Sequence, residues 1–506
     1  MTREHPERSP GITEPLLLFF IGFGLFMFCR RSDFLPLIPA TIIIAPIFIL
    51  RFSRILPGGR AALLTALGFV LAINISLWGI FDMSDPLTGV AFNVVRSSLI
   101  GLLYAVPYWI DRAITPRLGD GLHTTLVFPV AATAIMFLAT LEGPLDGTQA
   151  KNIYGIGPLP ILQLYALTGL WGFVFLWSWL AALINFAWAR GYALRPSLAA
   201  LLLFAVPALA LYGFGANRLA TAPDVPQVRL ASAVMAAGDI HPVSMEAIYE
   251  TRKTVPLEQT LAVIEAMTAE AVAEGAKIVT FPEFALLVTE EERAIVETRA
   301  GRIAADNGIW LSLPYAWMAD EGRGENRHLL IDDTGAIRID HKKRYLFGYG
   351  PIGEAGAFSK GPGTVQTVDS PYGRISVAIC RDLSFPQMIR QAGAAGADIM
   401  LTGSHDFPSG IVMNDPFRSV ENGMTHVRTT FNGISYAMDP YGRLLSERDN
   451  GEGRSAIMYV DIPTRGTRTL YARFGDWLGW GSVGLTVLFG TTAILRRKRG
   501  NVVADT

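Results

Sequence analysis

The feature that most constrains this chain is a series of apolar stretches, each about as long as a bilayer is thick. They run roughly over residues 15–29, 34–50, 61–82, 92–110, 123–141, 160–188 and 197–215, and one more, "WLGWGSVGLTVLFGTTAIL", covers 477–495. About 20 apolar residues in a helix cross the hydrocarbon core. In lipid, backbone polar groups must be satisfied within the segment, which favours helices. The stretches therefore predict about eight transmembrane helices. The first is short, but further spans follow it and it has no clear small-x-small cleavage site, so it reads as a retained helix rather than a signal peptide. Composition agrees: apolar residues make up 51% and charged residues 17%, against roughly 25% charged in a soluble domain.

Other classes are disfavoured. A net charge of -1 gives no electrostatic basis for binding nucleic acid. The seven histidines are scattered and the two cysteines, Cys29 and Cys380, lie far apart. No metal-ligand spacing or disulfide framework is present, so neither a metal nor a cofactor is expected.

Charge asymmetry orients the spans. The tail "RRKR" at 496–499 places the C-terminus in the cytoplasm by the positive-inside rule. Counting back places the N-terminus there too. Arg51, Arg54, Arg60, Arg112, Arg117, Arg190 and Arg195 then lie in cytoplasmic loops, against Arg30, Arg31, Arg96 and Lys151 outside. The pair Arg30-Arg31 runs against the rule. On this topology the segment between the seventh and eighth spans faces outward, into the periplasm of a Gram-negative cell. That compartment is oxidising, which gives weight to a reactive role for a lone cysteine there.

The chain thus divides into a membrane domain over 1–220, a soluble domain over 225–465 and a closing span over 475–496. The soluble part reads as α/β. Strands are expected at 228–236, 277–284, 309–317, 373–380 and 398–404, with hairpins over 327–343 and 433–447. Helices are expected at 257–276 and 386–397. Alternation of strands with helices that end in glycine suggests a layered αββα core.

Three residues sit at or near the ends of apolar strands: Glu283 in "KIVTFPEF", Lys343 in "IDHKKRYLF" and Cys380 in "VAICRDLSFP". Strand ends are where sites of α/β sheets assemble. A thiol must lose its proton to attack, a carboxylate can take it, and an ammonium stabilises a developing oxyanion. The backbone N–H of Arg381 is a second candidate oxyanion donor. Taken singly, each has a plainer reading: a core thiol, a turn glutamate, a solvated lysine.

The order "FPEF", "KKRYL", "ICRDLSFP" resembles the carbon–nitrogen hydrolase (nitrilase) superfamily, whose cysteine motif looks like I-C-[YW]-[DE]-x-x-F-P. The segment 417–443 resembles that family's R-A-x-E and R-x-x-N-x-G-x-S pattern, through Arg418, Glu421, Arg428, Asn432, Gly433 and Ser435. The resemblance implies an αββα sandwich with a Glu283-Lys343-Cys380 triad. With the membrane spans, the whole resembles the apolipoprotein N-acyltransferase family. That likeness implies a membrane phospholipid donor, typically phosphatidylethanolamine, a Cys380 thioester formed in a ping-pong reaction, and a diacylated apolipoprotein as acceptor. It also implies a place in the bacterial inner membrane, and makes Glu354 the counterpart of a further glutamate.

The chain departs from that pattern in three places. Arg381-Asp382 stands where Tyr-Glu is usual, Glu354 follows Lys343 at a longer spacing, and "VMAAGDIHPVSMEA" (234–247) lacks the usual Gln, Asn and Trp. These leave open a membrane-tethered amidase or an acyltransferase for another amine; a non-catalytic scaffold is a third reading, against which the intact Glu283, Lys343 and Cys380 argue. The loop "GYGPIG" (348–353) lacks the strand–turn–helix context of a dinucleotide site. Phe347, Tyr349 and Phe358 around it are candidates for an apolar lid.

Overall fold

The structure is a computed structural model, and it describes residues 13–29, 35–78, 89–141, 157–235, 255–319, 321–347, 353–406, 417–451 and 455–504. The chain forms two compact units. One comprises the chain up to Leu164, Leu170–Phe214 and the chain from Asp476; the other comprises Tyr165–Gly169 and Gly215–Gly475.

The first unit is helical: α1 (Thr13–Met27), α2 (Thr41–Ile55), α3 (Gly58–Ser76), α4 (Ala91–Leu118), α5 (Leu122–Thr140), α6 (Trp171–Trp188) and α7 (Leu194–Ala220), with α8 (Trp477–Ala504) at the other end of the sequence. Among the described residues, five helices are long and apolar enough to cross a membrane: α3, α5, α6, α7 and α8. The other expected spans differ for identifiable reasons. Helices α1 and α2 have 15 residues each. Pro36 and Pro39 precede α2, which starts at Thr41 rather than 34. Helix α4 has 28 residues, but Arg96, Asp111, Arg112 and Arg117 lie along it. Buried Asp111 is held by Arg54 of α2 through two bonds, of 2.9 and 2.8 Å.

The expected helix over 160–188 is broken into Leu159–Leu162, Tyr165–Thr168 and α6. Gly169, at φ +61°, lies at the second break. A Cβ there would sit 2.4 Å from the Tyr471 ring. The short piece before it belongs to the second unit, where Tyr165 stacks on Phe417 with centroids 5.3 Å apart. Arg30, Arg31 and Lys151, which bear on the orientation, lie outside the described residues.

The second unit is a two-sheet sandwich. Its strands are β1 (Gln227–Val234), β2 (Ile278–Thr280), β3 (Leu286–Thr289), β4 (Trp310–Met318), β5 (Glu325–Ile331), β6 (Ile337–Lys342), β7 (Thr367–Ser370), β8 (Gly373–Ile379), β9 (Ile399–His405), β10 (Thr425–Phe431), β11 (Ile434–Met438), β12 (Leu444–Asp449) and β13 (Ala456–Pro463). One sheet has the order β13-β1-β2-β4-β5-β6 with β3 paired to β4, and the other β12-β11-β10-β9-β8-β7. Helices Leu257–Ala273 and Arg293–Asn307 cover the first sheet: Leu261, Ile264, Val296 and Ala300 pack with Val279, Leu311 and Leu313. Helix Pro386–Ala394 covers the second, with Ile389 and Ala392 against Ala378 and Met400. Between the sheets lie Leu230, Ile278, Leu330, Val377, Ile399, Leu401 and Val427. This is the expected αββα layering.

A buried polar chain also crosses between the sheets. Ser232 and Thr429 hydroxyls lie 2.8 Å apart, Thr280 and Ser312 3.0 Å, Ser312 and His328 Nε2 2.7 Å, and His328 Nδ1 lies 3.0 Å from the Ala378 carbonyl. Burial pushes His328 down to about 3, so the ring is neutral. A carbonyl only accepts, so Nδ1 carries the proton and Nε2 accepts from Ser312. This ties β5 to β8 two residues before Cys380.

The strands β2, β8 and β9 run parallel within their sheets, so their C-terminal ends deliver residues to one edge. Gly403 of β9 makes the approach between sheets possible. A Cβ there would meet Pro314 Cγ at 2.4 Å and the Glu283 N at 3.0 Å. Overpacking of this kind costs about 1–3 kcal/mol. Gly403→Ala should therefore lower the thermal unfolding midpoint of the purified protein by several degrees, whereas Gly481→Ala, whose Cβ would meet nothing within 4 Å, should leave it nearly unchanged.

Candidate active site

Strand β2 ends at Thr280, and the chain turns through Phe281 and Pro282 so that Glu283 lies just beyond the strand. The next residue, Phe284, has φ +59°. Strand β8 ends at Ile379, and Cys380 opens a tight 3-10 turn, Cys380–Ser384, with φ +40°. Positive φ is costly for a residue with a Cβ and concentrates at functional sites. Among the described residues, two of the four non-glycine positive-φ positions are thus Cys380 and the neighbour of Glu283. Lys343 follows β6 directly. Gly361 passes under it: its N–H donates to the Lys343 carbonyl at 2.8 Å, and a Cβ there would lie 2.1 Å from the Lys342 carbonyl oxygen.

Lys343 is 1% exposed and is gripped by two equally buried carboxylates. Its Nζ donates to Glu283 Oε1 at 2.7 Å and to Glu354 Oε1 and Oε2 at 2.7 and 2.6 Å. Asn326 of β5 donates to both carboxylates, at 2.8 Å to Glu283 and 2.9 Å to Glu354. The Phe347 N–H adds a bond of 2.6 Å to Glu354 Oε2. Despite its longer spacing from Lys343, Glu354 therefore reaches it. Backbone at His405 connects this cluster to the thiol: its N–H donates to Glu283 Oε2 at 3.1 Å, and its carbonyl accepts from Cys380 Sγ at 3.9 Å.

Two carboxylates around one ammonium leave one negative charge uncompensated in a water-poor pocket. Burial would lower Lys343, but Glu283 and Glu354 outweigh it and hold the ammonium above its ordinary value. Burial raises Glu283 to about 7; Lys343 opposes the rise and Glu354 adds to it. Burial also pushes the Cys380 thiol up, with Glu283 adding and Lys343 opposing. The resting site is therefore a protonated thiol, a fixed cation and a carboxylate able to take a proton near neutrality.

The residues after the cysteine have separate tasks. Asp382 is fully buried and accepts from His341 Nε2 at 2.9 Å, and from the Arg344, Tyr345 and Ile379 N–H groups at 3.2, 3.0 and 3.3 Å. It locks the cysteine turn to the segment carrying Lys343. Arg381 donates to the Leu346 carbonyl at 2.6 Å, with its guanidinium 5.9 Å from the Phe347 ring centre. Arg418 donates to the Leu383 carbonyl at 2.9 Å and pairs with Glu421. Arg428 pairs with Asp406 through bonds of 2.9 and 2.7 Å, and both charges act on the Cys380 thiol. Ser435 accepts from the Thr430 N–H at 2.9 Å and shapes the turn around Asn432 and Gly433.

The aromatic lid is corrected in part. Phe358 is fully buried and packs against Phe284, with ring centres 5.8 Å apart, because it belongs to an apolar cluster with Leu287, Ala316 and Leu346. Phe347 stands beside Glu354 and Arg381, while Tyr349 and residues 348–352 lie outside the described residues, as do 236–247 of the altered first-strand segment. Sequence reasoning missed Asn326, His341, His405 and Asp406. The polar residues Asn326 and His341 in otherwise strand-like runs were the available signal.

Residues 243–471 match the carbon-nitrogen hydrolase family. An apolipoprotein N-acyltransferase of Nostoc sp. is 33% identical over 144 residues, which cover 27% of this chain and 28% of that protein. A deaminated glutathione amidase of Bos taurus is 25% identical over 298 residues, covering 52% of this chain and 88% of that protein. Among solved structures, an amidase from Nesterenkonia sp. aligns at 23% identity over 48% of this chain and 93% of its own, with a TM-score of 0.39.

Removing one partner of a buried ion cluster costs about 3–5 kcal/mol, because it leaves charge uncompensated. Lys343→Met should therefore sharply lower the unfolding midpoint. Adding Glu283→Gln to it should recover part of the loss, since one stranded carboxylate disappears. Simple additivity of the two substitutions in thermal unfolding would contradict the shared-charge account.

Proposed function

Residues 243–471 of this chain match the carbon–nitrogen hydrolase family, and from that premise we propose that the protein is a membrane acyltransferase of the apolipoprotein N-acyltransferase type. The observation that carries this reading is the company the site keeps. The same chain places a buried carboxylate–ammonium–thiol cluster between helices long and apolar enough to cross a membrane, on both sides in sequence. An enzyme whose acyl donor is a bilayer lipid has use for both. The similarity to N-acyltransferases supports the same class, although the aligned stretch spans only 28% of the Nostoc protein.

In this reading Glu283 takes the Cys380 proton as sulfur attacks the sn-1 ester carbonyl of a phospholipid, phosphatidylethanolamine by resemblance. The oxyanion forms against the Lys343 ammonium and the Arg381 N–H. Its collapse breaks the ester C–O bond, and the lysophospholipid leaves with the proton held by Glu283. The free α-amine of an S-diacylglyceryl cysteine then attacks the thioester. Glu283 removes the amine proton, the C–S bond breaks, and the thiolate regains its proton. Glu354 and Asn326 keep the ammonium in place throughout. Eight spans, with the domain on the periplasmic side of the inner membrane, complete the proposal.

An amidase is the second reading, favoured by the greater length of the glutathione-amidase similarity. The two part at the acyl source. Purified protein incubated with a phospholipid carrying an alkyne-tagged sn-1 chain should acquire a thioester label that hydroxylamine removes and Cys380→Ala abolishes. Equal labelling of wild type and Cys380→Ala would sink the proposal. Labelling should rise as pH increases through about 7 and then level off, because a raised Glu283 is protonated and inactive as a base below that value. Glu283→Gln should slow it roughly 10²–10⁴-fold and remove that rise.

A further inference from the structure

The backbone of His405 touches both Glu283 and Cys380. Its N–H donates to Glu283 Oε2 at 3.1 Å, and its carbonyl accepts from Cys380 Sγ at 3.9 Å. The pattern of donors decides which carboxylate oxygen is available. Glu283 Oε1 accepts from Lys343 Nζ at 2.7 Å and from Asn326 Nδ2 at 2.8 Å, which fills its two lone-pair sites. Among the described residues, Oε2 accepts only the His405 N–H, so Oε2 keeps room for a proton. A donor on a carboxylate also favours its charged form.

Arg428 holds the His405 backbone from behind. Side chains alternate across a strand. Gly403 of β9 faces Glu283, so Ser404 and, just past the strand, Asp406 point to different faces from His405 and Gly403. From β10, Arg428 Nε donates to Ser404 Oγ at 3.0 Å, and its two terminal nitrogens donate to Asp406 at 2.9 and 2.7 Å. One planar fork thus grips the residues on either side of His405. The peptide shared with Ser404 supplies the N–H, and the peptide shared with Asp406 supplies the carbonyl. All three side chains are buried, and the Asp406 N–H is fixed on the Phe431 carbonyl at 2.9 Å.

We propose that Arg428 is a positioning residue for the proton transfer: by clamping Ser404 and Asp406, it fixes the His405 N–H on Glu283 and the His405 carbonyl at the thiol. The inference rests on Glu283 acting as the base toward Cys380, which the acyltransferase and amidase readings share. The effect is one of geometry. Burial raises the Cys380 thiol most, then Glu283 adds and Lys343 opposes; Asp406 and Arg428 follow with opposite signs. Removing those two together leaves little net change in charge. Lys343 and Glu354, the charged groups that face Glu283, stay in place.

Alkylation by iodoacetamide of the full chain in detergent, read at the Cys380 peptide by mass spectrometry, tests this without any acyl donor. In wild type the rate should rise through about pH 7, where Glu283 becomes able to take the proton, and Glu283→Gln should remove the rise. Arg428→Met combined with Asp406→Leu replaces the ion pair by apolar side chains, a change that buried pairs often tolerate. In that variant the rise should move up by about half to one pH unit, and the rate above it should fall by up to about 100-fold. Arg428→Lys keeps the charge but cannot fork onto both partners, and should fall between the two. Val427→Ala loosens the same strand from its other face, where Val427 packs between the sheets. It should lower the unfolding midpoint and leave the pH profile unchanged. A folded double variant with the wild-type profile, or a Val427→Ala profile shifted as far as that of the double variant, would overturn the inference. A flat wild-type profile would overturn the base role of Glu283 itself, and the inference with it.

Discussion

The second unit is organised around one buried ammonium. Lys343 sits between Glu283 and Glu354 with almost no access to water, and an ion there persists only if its surroundings are fixed. Much of the nearby structure does this fixing. Asn326 bridges the two carboxylates, Gly361 passes beneath the lysine backbone, and Asp382 joins the lysine segment to the cysteine turn. The same arrangement sets the chemistry. Because burial raises Glu283, with Lys343 opposing and Glu354 adding to the rise, Glu283 is left to hold or release a proton near neutrality, beside a thiol that burial keeps protonated.

The departures from the family pattern acquire physical meaning in this frame. Asp382 does not face an open substrate pocket; its oxygens are taken up by His341 and three backbone N–H groups. It joins the cysteine turn to the lysine segment, and His341 is its side-chain partner. Arg381 holds the Leu346 carbonyl, so it ties the cysteine turn to the start of the loop leading to Glu354. The longer spacing between Lys343 and Glu354 changes the loop and leaves the ion cluster closed.

Much of the sandwich was legible because its strands are apolar runs that end in a polar residue. "ISVAIC" and "DIMLTGS" are read directly, and Glu283, Lys343 and Cys380 each stand where such a run stops. Other elements were hidden by their own chemistry. Strand β10, "THVRTTF", buries Thr425, His426, Arg428, Thr429 and Thr430; polar residues on both faces conceal a strand when their partners, such as Thr402 and Asp406, come from β9 and its end. Asn326 and His341 escaped for a similar reason, since their roles depend on which residues face them after folding. In the helical unit, hydropathy located the apolar stretches. It did not foresee the break at Gly169, where the ring that leaves no room for a Cβ is Tyr471, about 300 residues away in sequence.

The central claim is that this ion cluster and thiol move an acyl chain from a membrane lipid to a lipoprotein amine. It is tested most directly in cells depleted of their own N-acyltransferase and supplied with this chain, by mass spectrometry of lipoprotein N-terminal peptides. The account predicts triacylated N-termini with wild type and diacylated N-termini with Cys380→Ala. Diacylated peptides alone, from cells in which the wild-type protein is inserted and folded, would contradict it.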